Sequence, residues 1–314
     1  DRLYARGAQD NKGQIAYVLA ALRALIDQGV PLPPLRLLFE GDEECGRSAA
    51  IDALAALDPG LLRADILYNC DALTVTPGRS TLTLGLRGLT GFTVEVRGAQ
   101  TDLHSGIHGG MAPNPALVLA RLLAALHDDT GRIAVPGFYD GVLDPTPQER
   151  ALANADAPSA AEYAAQTGVP PVGGESAFTP AERAGFRPTL EINGFHSGYG
   201  GPGSKTIIPA VAQAKITLRL AAGQDPAACL HRVRRFLEHR LPAGLKIAFT
   251  ETAAGAPALK GDVNAPAIRT AAAILTELDG RPPAFHWEGG SIPIMARLPA
   301  LTGAQPLIVG FGST

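Results

Sequence analysis

The 314-residue sequence contains few cysteines and has neither a long apolar run nor an excess of basic charge. Its three cysteines, Cys45, Cys70 and Cys229, lie far apart and form no CxxC pair, which argues against a disulfide framework and fits a reducing, cytoplasmic compartment. No apolar stretch reaches the ~18 residues that a membrane-spanning helix needs, so we expect no membrane association. The formal net charge is −3 and the basic residues form no stripe, which makes a nucleic-acid partner unexpected.

The composition that remains is that of a globular protein, with 46% hydrophobic and 18% charged residues. The first part of the chain predicts a helix within residues 11–29, a buried strand over 35–39, a short helix over 49–57 and a second buried strand over 66–70. Strands that alternate with helices and end at acidic residues predict an α/β sheet. In such sheets, ligands bind beyond the carboxyl ends of the strands.

The pattern changes near residue 85. Alternating strands and two well-capped helices, which begin after Asn114 and Asp225, give the order β-α-β-β-α-β over residues 90–255, typical of a ferredoxin-like unit. Residues 137–186 have weak periodicity and are interpreted as a long excursion, and residues 300–310 as a return to a buried strand. The sequence thus predicts a small α+β domain inserted into a larger α/β domain.

Three acidic clusters follow segments of the α/β part: Asp10 in RGAQDNKG, Glu43 and Glu44 in EGDEECG, and Asp71 in NCDA. Carboxylates that converge without basic partners repel one another unless they share a cation or a proton. Few basic residues lie nearby, so a divalent metal is the economical partner. A solvated acidic turn is the alternative for any one cluster taken alone.

Several motifs occur along the chain in a characteristic order: LYARGAQDNKGQ (3–14), FEGDEECG (39–46), YNCDA (68–72), DLHSGIHGG (102–110), GFYD (137–140), GPGSKTIIP (201–209), LRL (218–220) and EGGSIP (288–293). Together they resemble the M20 family of di-zinc metallopeptidases, and most of all its carnosine dipeptidase-like branch. The resemblance implies a zinc-peptidase-type α/β catalytic domain made of residues 1–86 and 257–314. It also implies that residues 87–256 form a ferredoxin-like lid and dimerisation domain, through which the protein would be a homodimer.

The resemblance also implies a role for each acidic residue. Asp10 would bridge two metal ions, Asp71 would be a terminal ligand of one ion, and Glu44 a terminal ligand of the other. Glu43 would be the general base that takes a proton from the metal-bridging water. The implied cofactor is two zinc ions, with manganese and cobalt as alternatives.

Further site residues follow from the same resemblance. His104 would stabilise the oxyanion, in this family from the partner subunit of a dimer. Thr206 and Arg219 would bind substrate, Arg219 as a bidentate clamp on a C-terminal carboxylate, and Asn193 would belong to the same site. Ser291, after two glycines, would lie in a loop that offers backbone and hydroxyl donors to the substrate carboxylate.

Two histidine ligands of the family are not found in this sequence. We expect them before residue 1 and after residue 314, and we expect the 314-residue polypeptide to be inactive by itself. The expected function is metal-dependent hydrolysis of the amide bond of dipeptides or small N-acyl amino acids. The alternatives are an N-acyl-amino-acid deacylase of the acetylornithine deacetylase or desuccinylase type, and a non-catalytic relative that binds a small molecule.

Overall fold

The computed structural model describes residues 5, 7–8, 10–41, 53, 56, 59–72, 74–75, 78–253 and 255–310. The chain divides into two compact units. The first unit comprises Asp1–Leu86, Pro145–Pro158 and Leu259–Thr314, and the second comprises Arg87–Asp144 and Ser159–Ala258.

The described residues form the following strands and helices. The strands are β1 (Ile66–Asn69), β2 (Thr81–Leu86), β3 (Gly88–Arg97), β4 (Leu103–His104), β5 (Thr189–Ser197), β6 (Ile207–Ile208), β7 (Val211–Leu220), β8 (Lys246–Thr250), β9 (Leu259–Lys260), β10 (Ala284–Glu288) and β11 (Gln305–Gly310). The helices are α1 (Lys12–Asp27), α2 (Ser105–His108), α3 (Pro115–Ala124), α4 (Pro147–Ala155), α5 (Ala160–Thr167), α6 (Pro180–Gly185), α7 (Pro226–Arg240), α8 (Pro266–Asp279) and α9 (Pro293–Thr302). Over this part of the chain, no helix combines the length and apolar character that crossing a membrane requires.

The first unit is built on a mixed sheet with the strand order β1-β11-β2-β10, in which β9 also pairs with β2. β1 is parallel to β11 and β10 is parallel to β2, whereas β2 is antiparallel to β11 and to β9. Every residue of β2 is buried. Helix α9 packs against this sheet through Ile294, Met295 and Leu298, which form a core cluster with Leu86 and Ile308. This layered arrangement confirms the predicted mixed α/β class.

The second unit has the predicted β-α-β-β-α-β order, formed by β3, α3, β5, β7, α7 and β8. Its sheet is antiparallel with the order β5-β7-β3-β8, which is the ferredoxin-like arrangement. Residues of α3 and α7, among them Leu122 and Val233, share one buried core with Val94 and Ile216 of the sheet. The two helices thus cover one face of the sheet.

Helices α3 and α7 begin where the sequence predicts. The Asn114 carboxamide oxygen accepts a hydrogen bond from the Ala116 amide at 2.9 Å, and the Asp225 carboxylate accepts one from the Ala228 amide at 2.6 Å. Each cap satisfies a backbone donor that the first helical turn leaves without a partner, and each helix has proline at its first position.

The predicted excursion over residues 137–186 contains three short helices, α4, α5 and α6. Each starts with a capping box, in which a Ser or Thr hydroxyl accepts from a Glu amide three residues later and the Glu carboxylate accepts from the Ser or Thr amide. The pairs are Thr146 and Glu149, Ser159 and Glu162, and Thr179 and Glu182. Hydrophobic periodicity is too weak to reveal these helices, but the S/T-x-x-E pattern at the start of each one predicts it.

Residues 145–158 belong to the first unit, not with the rest of the 87–256 segment predicted as one inserted domain. Helix α4 packs against β10. The buried Glu149 carboxylate lies 3.3 Å from Lys260 Nζ, and Arg79 forms an ion pair with Asp156. These ion pairs join residues far apart in sequence, so hydrophobic periodicity gives no sign of them.

Other predicted elements differ in detail. Residues 35–39 are not a strand: in the described structure no strand pairs with them, and Leu35, Leu37 and Phe39 are 50%, 55% and 60% exposed. β1 forms as predicted but is not buried, because within the described part of the chain it lies at the edge of its sheet, where Ile66 and Tyr68 are exposed. The predicted strand over 300–310 begins at residue 305, and the residues before it end α9. The predicted helix over 49–57 lies almost entirely outside the described residues.

Candidate active site

The start of α1 and the loop after β1 lie side by side in the first unit. Gln14 is 2% exposed; its Nε2 donates to the Ala72 carbonyl at 3.4 Å, and its Oε1 accepts from the Asn11 side-chain amide. Asn11 follows Asp10, and Ala72 follows Asp71. Gln14 therefore links the two loops that carry these acids, of which Asp10 is exposed and Asp71 half-buried.

A tyrosine of α1 lies near the same loop. Burial, and after it the negative charges of Cys70, Tyr68 and Asp71, raise the pKa of Tyr17 to about 12. The phenol consequently stays protonated at neutral pH and keeps its hydrogen-bond donor. The sequence did not single out Tyr17. Its position three residues after Gln14 could have indicated it, because this spacing puts both side chains on one face of a helix.

The residues near this point fit part of a metal site. Carboxylate oxygens suit divalent cations, and Asp10 and Asp71 are on linked loops. Within the described ranges, no group of three or more His, Cys, Asp or Glu side chains could hold a metal ion. A complete site needs side chains from outside those ranges, and the predicted residues Glu43 and Glu44 lie there.

In the second unit, His104 and Thr206 lie together, because β4 pairs with β6 and the Ser105 amide donates to the Thr206 carbonyl at 2.9 Å. His104 is the N-cap residue of α2, and its Nδ1 accepts from the Gly106 amide at 3.0 Å. In the neutral imidazole the proton is therefore on Nε2. Nε2 lies 3.4 Å from Thr206 Oγ1. The side chain is exposed and holds an oriented N–H donor.

Asn193 and Arg219 lie on the sheet of the second unit. Thr217 Oγ1 donates to Asn193 Oδ1 at 2.7 Å, and Asn193 lies at a β-bulge where β5 pairs with β7. Side chains two residues apart on a strand share a face, so Arg219 is on the Thr217 face, opposite the buried Leu218. Arg219 is half-buried. The structure thus brings these two predicted binding residues to the open, polar face of the sheet.

Ser291 lies in the first unit, between β10 and α9. The loop before it contains a feature that the sequence did not predict. Glu288 Oε1 accepts from the Gly290 amide at 3.0 Å, and Glu288 Oε2 lies 3.3 Å from His286 Nε2. The Gly290 donor, expected to bind the substrate carboxylate, is therefore engaged by Glu288.

Comparison with known sequences identifies the second unit. Residues 84–245 match the peptidase dimerisation domain of M20 peptidases, a range that contains β3, β5, β7, α3 and α7 of the ferredoxin-like unit. The chain belongs to the M20 family of metallopeptidases. Divalent metal ions are used across this family.

Relatives of this M20 chain include dipeptidases. It is 28% identical over 309 residues to the Cys-Gly metallodipeptidase dug1 of Schizosaccharomyces pombe, covering 93% of this chain and 62% of that protein. It is 33% identical over 242 residues to the human Beta-Ala-His dipeptidase, covering 76% of this chain and 47% of that protein. The chain thus spans about half to two thirds of the length of these relatives.

Solved M20 structures are similar over nearly all of the chain. The di-peptidase Dug1p from Saccharomyces cerevisiae matches with a TM-score of 0.81 and 26% identity, over 98% of this chain and 65% of that one. The metallo-carboxypeptidase Sso-CP2 from Sulfolobus solfataricus matches with a TM-score of 0.83 and 28% identity, over 97% and 70%.

Proposed function

We propose that the full-length protein is a metal-dependent dipeptidase that hydrolyses the amide bond of small peptides. The structural observation that supports it best is the link that Gln14 makes between the loops of Asp10 and Asp71. The family and the dipeptidases among the relatives support the reaction class. We further propose the first unit as the catalytic domain and the second as the lid and dimerisation domain.

Three carboxylates would hold two metal ions, which we propose to be zinc. Asp10 would bridge them, and Glu44 and Asp71 would each bind one, together with two histidines outside this sequence. The bound ions would polarise the scissile carbonyl and acidify a water molecule. Glu43, adjacent to a ligand but not one itself, would take a proton from the attacking water and deliver it to the leaving amine.

The second unit would supply the donors for the substrate. His104 Nε2–H would donate to the oxyanion that forms on the scissile carbonyl, acting in the active site of the partner subunit of a homodimer. Thr206, whose hydroxyl lies beside this imidazole, would help to bind the substrate. The Gly106 amide supports the role of His104 because it determines which ring nitrogen carries the proton.

Substrate binding is assigned to Thr206, Arg219, Asn193 and Ser291. Arg219 would clamp the C-terminal carboxylate through two N–H groups, which match the spacing of its oxygens. We also propose a cytoplasmic location. In the described part of the chain Cys70 and Cys229 are free thiols, which fits a reducing compartment.

The experiment uses the purified full-length protein, stripped with chelator and reloaded with Zn²⁺, Mn²⁺ or Co²⁺. Free dipeptides and N-acetyl or N-succinyl amino acids are supplied as substrates in parallel. We expect hydrolysis of dipeptides that is lost on stripping and restored by one of the metals.

The other outcomes identify the alternatives. Preferential release of acetate or succinate would make the protein an N-acyl-amino-acid deacylase. A folded dimer that binds dipeptides and hydrolyses none of the substrates with any metal would make it a binding protein and would contradict the proposal.

A further inference from the structure

The loop that carries Ser291 is fixed at its base by a tryptophan. Trp287 is 4% exposed and pairs in register with Gly85 of β2. A Cβ atom on Gly85 would lie 2.5 Å from Trp287 Cδ1, so only glycine lets the indole pack there. The end of β10 is consequently held against β2, and Glu288, the last residue of β10, pairs with Leu86.

Glu288 directs its carboxylate back onto the loop that follows it. Oε1 accepts the Gly290 N–H at 3.0 Å and Oε2 lies 3.3 Å from His286 Nε2. The hydrogen bond to His286, together with those from the Gly290 and Gly289 amides, lowers the pKa of Glu288 to about 2 although burial opposes this. The carboxylate is therefore charged at every pH at which a peptidase would work.

A charged acceptor inside this loop restricts where Ser291 can lie. Two consecutive glycines, Gly289 and Gly290, have the widest range of backbone conformations, so the loop has little stiffness of its own. Charge-assisted hydrogen bonds are about twice as strong as neutral ones, and here one holds the Gly290 amide to the Glu288 carboxylate. On the other side of Ser291, α9 begins at Pro293. Both ends of the short loop are thereby fixed.

We propose that Glu288 is a positioning residue that holds the loop after β10 so that Ser291 meets the substrate, with His286 orienting its carboxylate. The proposal rests on the proposed function, in which Ser291 binds the substrate carboxylate. Glu288 acts through the Gly290 amide, not by touching the substrate. Its removal should therefore weaken substrate binding and leave the chemical step nearly unchanged.

The test uses the metal-loaded full-length enzyme with a free dipeptide. Glu288→Ala removes the acceptor and should raise KM about tenfold while kcat changes less than about threefold. Glu288→Gln keeps a neutral acceptor for the Gly290 amide and should restore part of the loss. Glu277→Ala removes an exposed glutamate of α8 in the same unit and serves as the matched control, with KM unchanged.

A double variant decides whether Glu288 acts through Ser291. If it does, Glu288→Ala combined with Ser291→Ala should have the KM of Ser291→Ala alone, because the position of a missing hydroxyl no longer matters. If the rise in KM of the double variant is instead the product of the rises in the two single variants, the proposal is overturned. An unchanged KM in Glu288→Ala, or a fall in kcat without a rise in KM, would also overturn it.

A readout that needs no activity separates this proposal from the function on which it rests. Absence of any peptide hydrolysis by the wild type would refute the proposed function alone. Amide hydrogen exchange at Gly290 would still test the loop: faster exchange in Glu288→Ala than in the wild type is expected. Equal exchange rates would show that Glu288 does not hold the loop.

Discussion

The imidazole of His104 makes two contacts that a single substitution can separate. Its Nδ1 caps α2 by accepting the Gly106 amide at 3.0 Å, and its Nε2 lies beside Thr206. Asparagine has an acceptor close to the position of Nδ1 and is a preferred N-cap residue, but it has no atom at the position of Nε2. His104→Asn therefore removes the proposed oxyanion donor and keeps the cap, whereas His104→Ala removes both.

The two contacts differ in expected size and in the assay that detects them. Loss of one oxyanion donor costs about 10²–10³ in kcat, or about 2.7–4 kcal/mol of transition-state stabilisation. Loss of the cap costs about 0.5–2 kcal/mol of stability. We expect His104→Asn to lower kcat of the metal-loaded full-length enzyme by the first amount, with an unchanged free energy of unfolding in urea. His104→Ala should show both losses.

Thr206→Val is the matched control, because it removes the hydroxyl beside Nε2 and leaves the imidazole and its cap intact. Its effect on kcat should be clearly smaller than that of His104→Asn. If His104→Asn keeps kcat within about threefold of the wild type, far short of the loss expected for an oxyanion donor, His104 is structural and the assignment is refuted. The metal content of each variant is measured as well, because loss of the metal ions would also lower kcat.

Three further predictions concern substrate binding, the core of the second unit and acid stability. Arg219→Lys should raise KM for free dipeptides about 10–100-fold through loss of the bidentate clamp, and have little effect on dipeptide amides, which lack the carboxylate; equal effects on both substrates would refute the clamp. Glu175→Ala should lower the free energy of unfolding by about 3–5 kcal/mol, because it leaves the buried Arg187, now paired at 2.9 Å, without its main counter-charge. Asp144→Ala, which removes a carboxylate 71% exposed and 3.4 Å from Arg187, should cost less than about 1 kcal/mol, and similar losses in both variants would contradict this assignment. Because folding lowers the pKa of Glu288 from 4.5 to about 2, its contribution to stability is present above pH 4.5 and is lost as the pH falls towards 2. The difference in unfolding free energy between wild type and Glu288→Gln should shrink over that range, and a constant difference would show that the carboxylate is not the cause.

Local signals were sufficient to predict the ferredoxin-like unit. Its strands alternate, and its helices begin after Asn114 and Asp225, whose caps form within three residues in sequence. Prediction was weaker for segments whose structure depends on contacts with residues far away in the sequence. Residues 35–39 have the composition of a strand, but a strand also needs a neighbour, and hydrophobicity does not show whether one is present. The same holds for residues 145–158, whose place is determined by ion pairs with Lys260 and Arg79.

The candidate site shows the same division. Asp10 and Asp71 could be singled out because each is an acid in a loop beside a regular element, and their linkage follows from the α/β topology. The pairing of His104 with Thr206 joins residues a hundred positions apart, and the motifs singled out each residue without predicting that they lie together. The contacts of the Glu288 carboxylate could not be predicted, because they depend on the path of the loop that returns the Gly290 amide to it.

The most direct test of the account is the metal content of three forms of the full-length protein, measured by mass spectrometry after dialysis and paired with dipeptide turnover. We expect about two ions per chain in the wild type, two ions with no turnover in Glu43→Gln, and loss of both ions in Asp10→Asn. Full metal content in Asp10→Asn, or turnover by Glu43→Gln within tenfold of the wild type, would contradict the carboxylate site on which the proposed function depends.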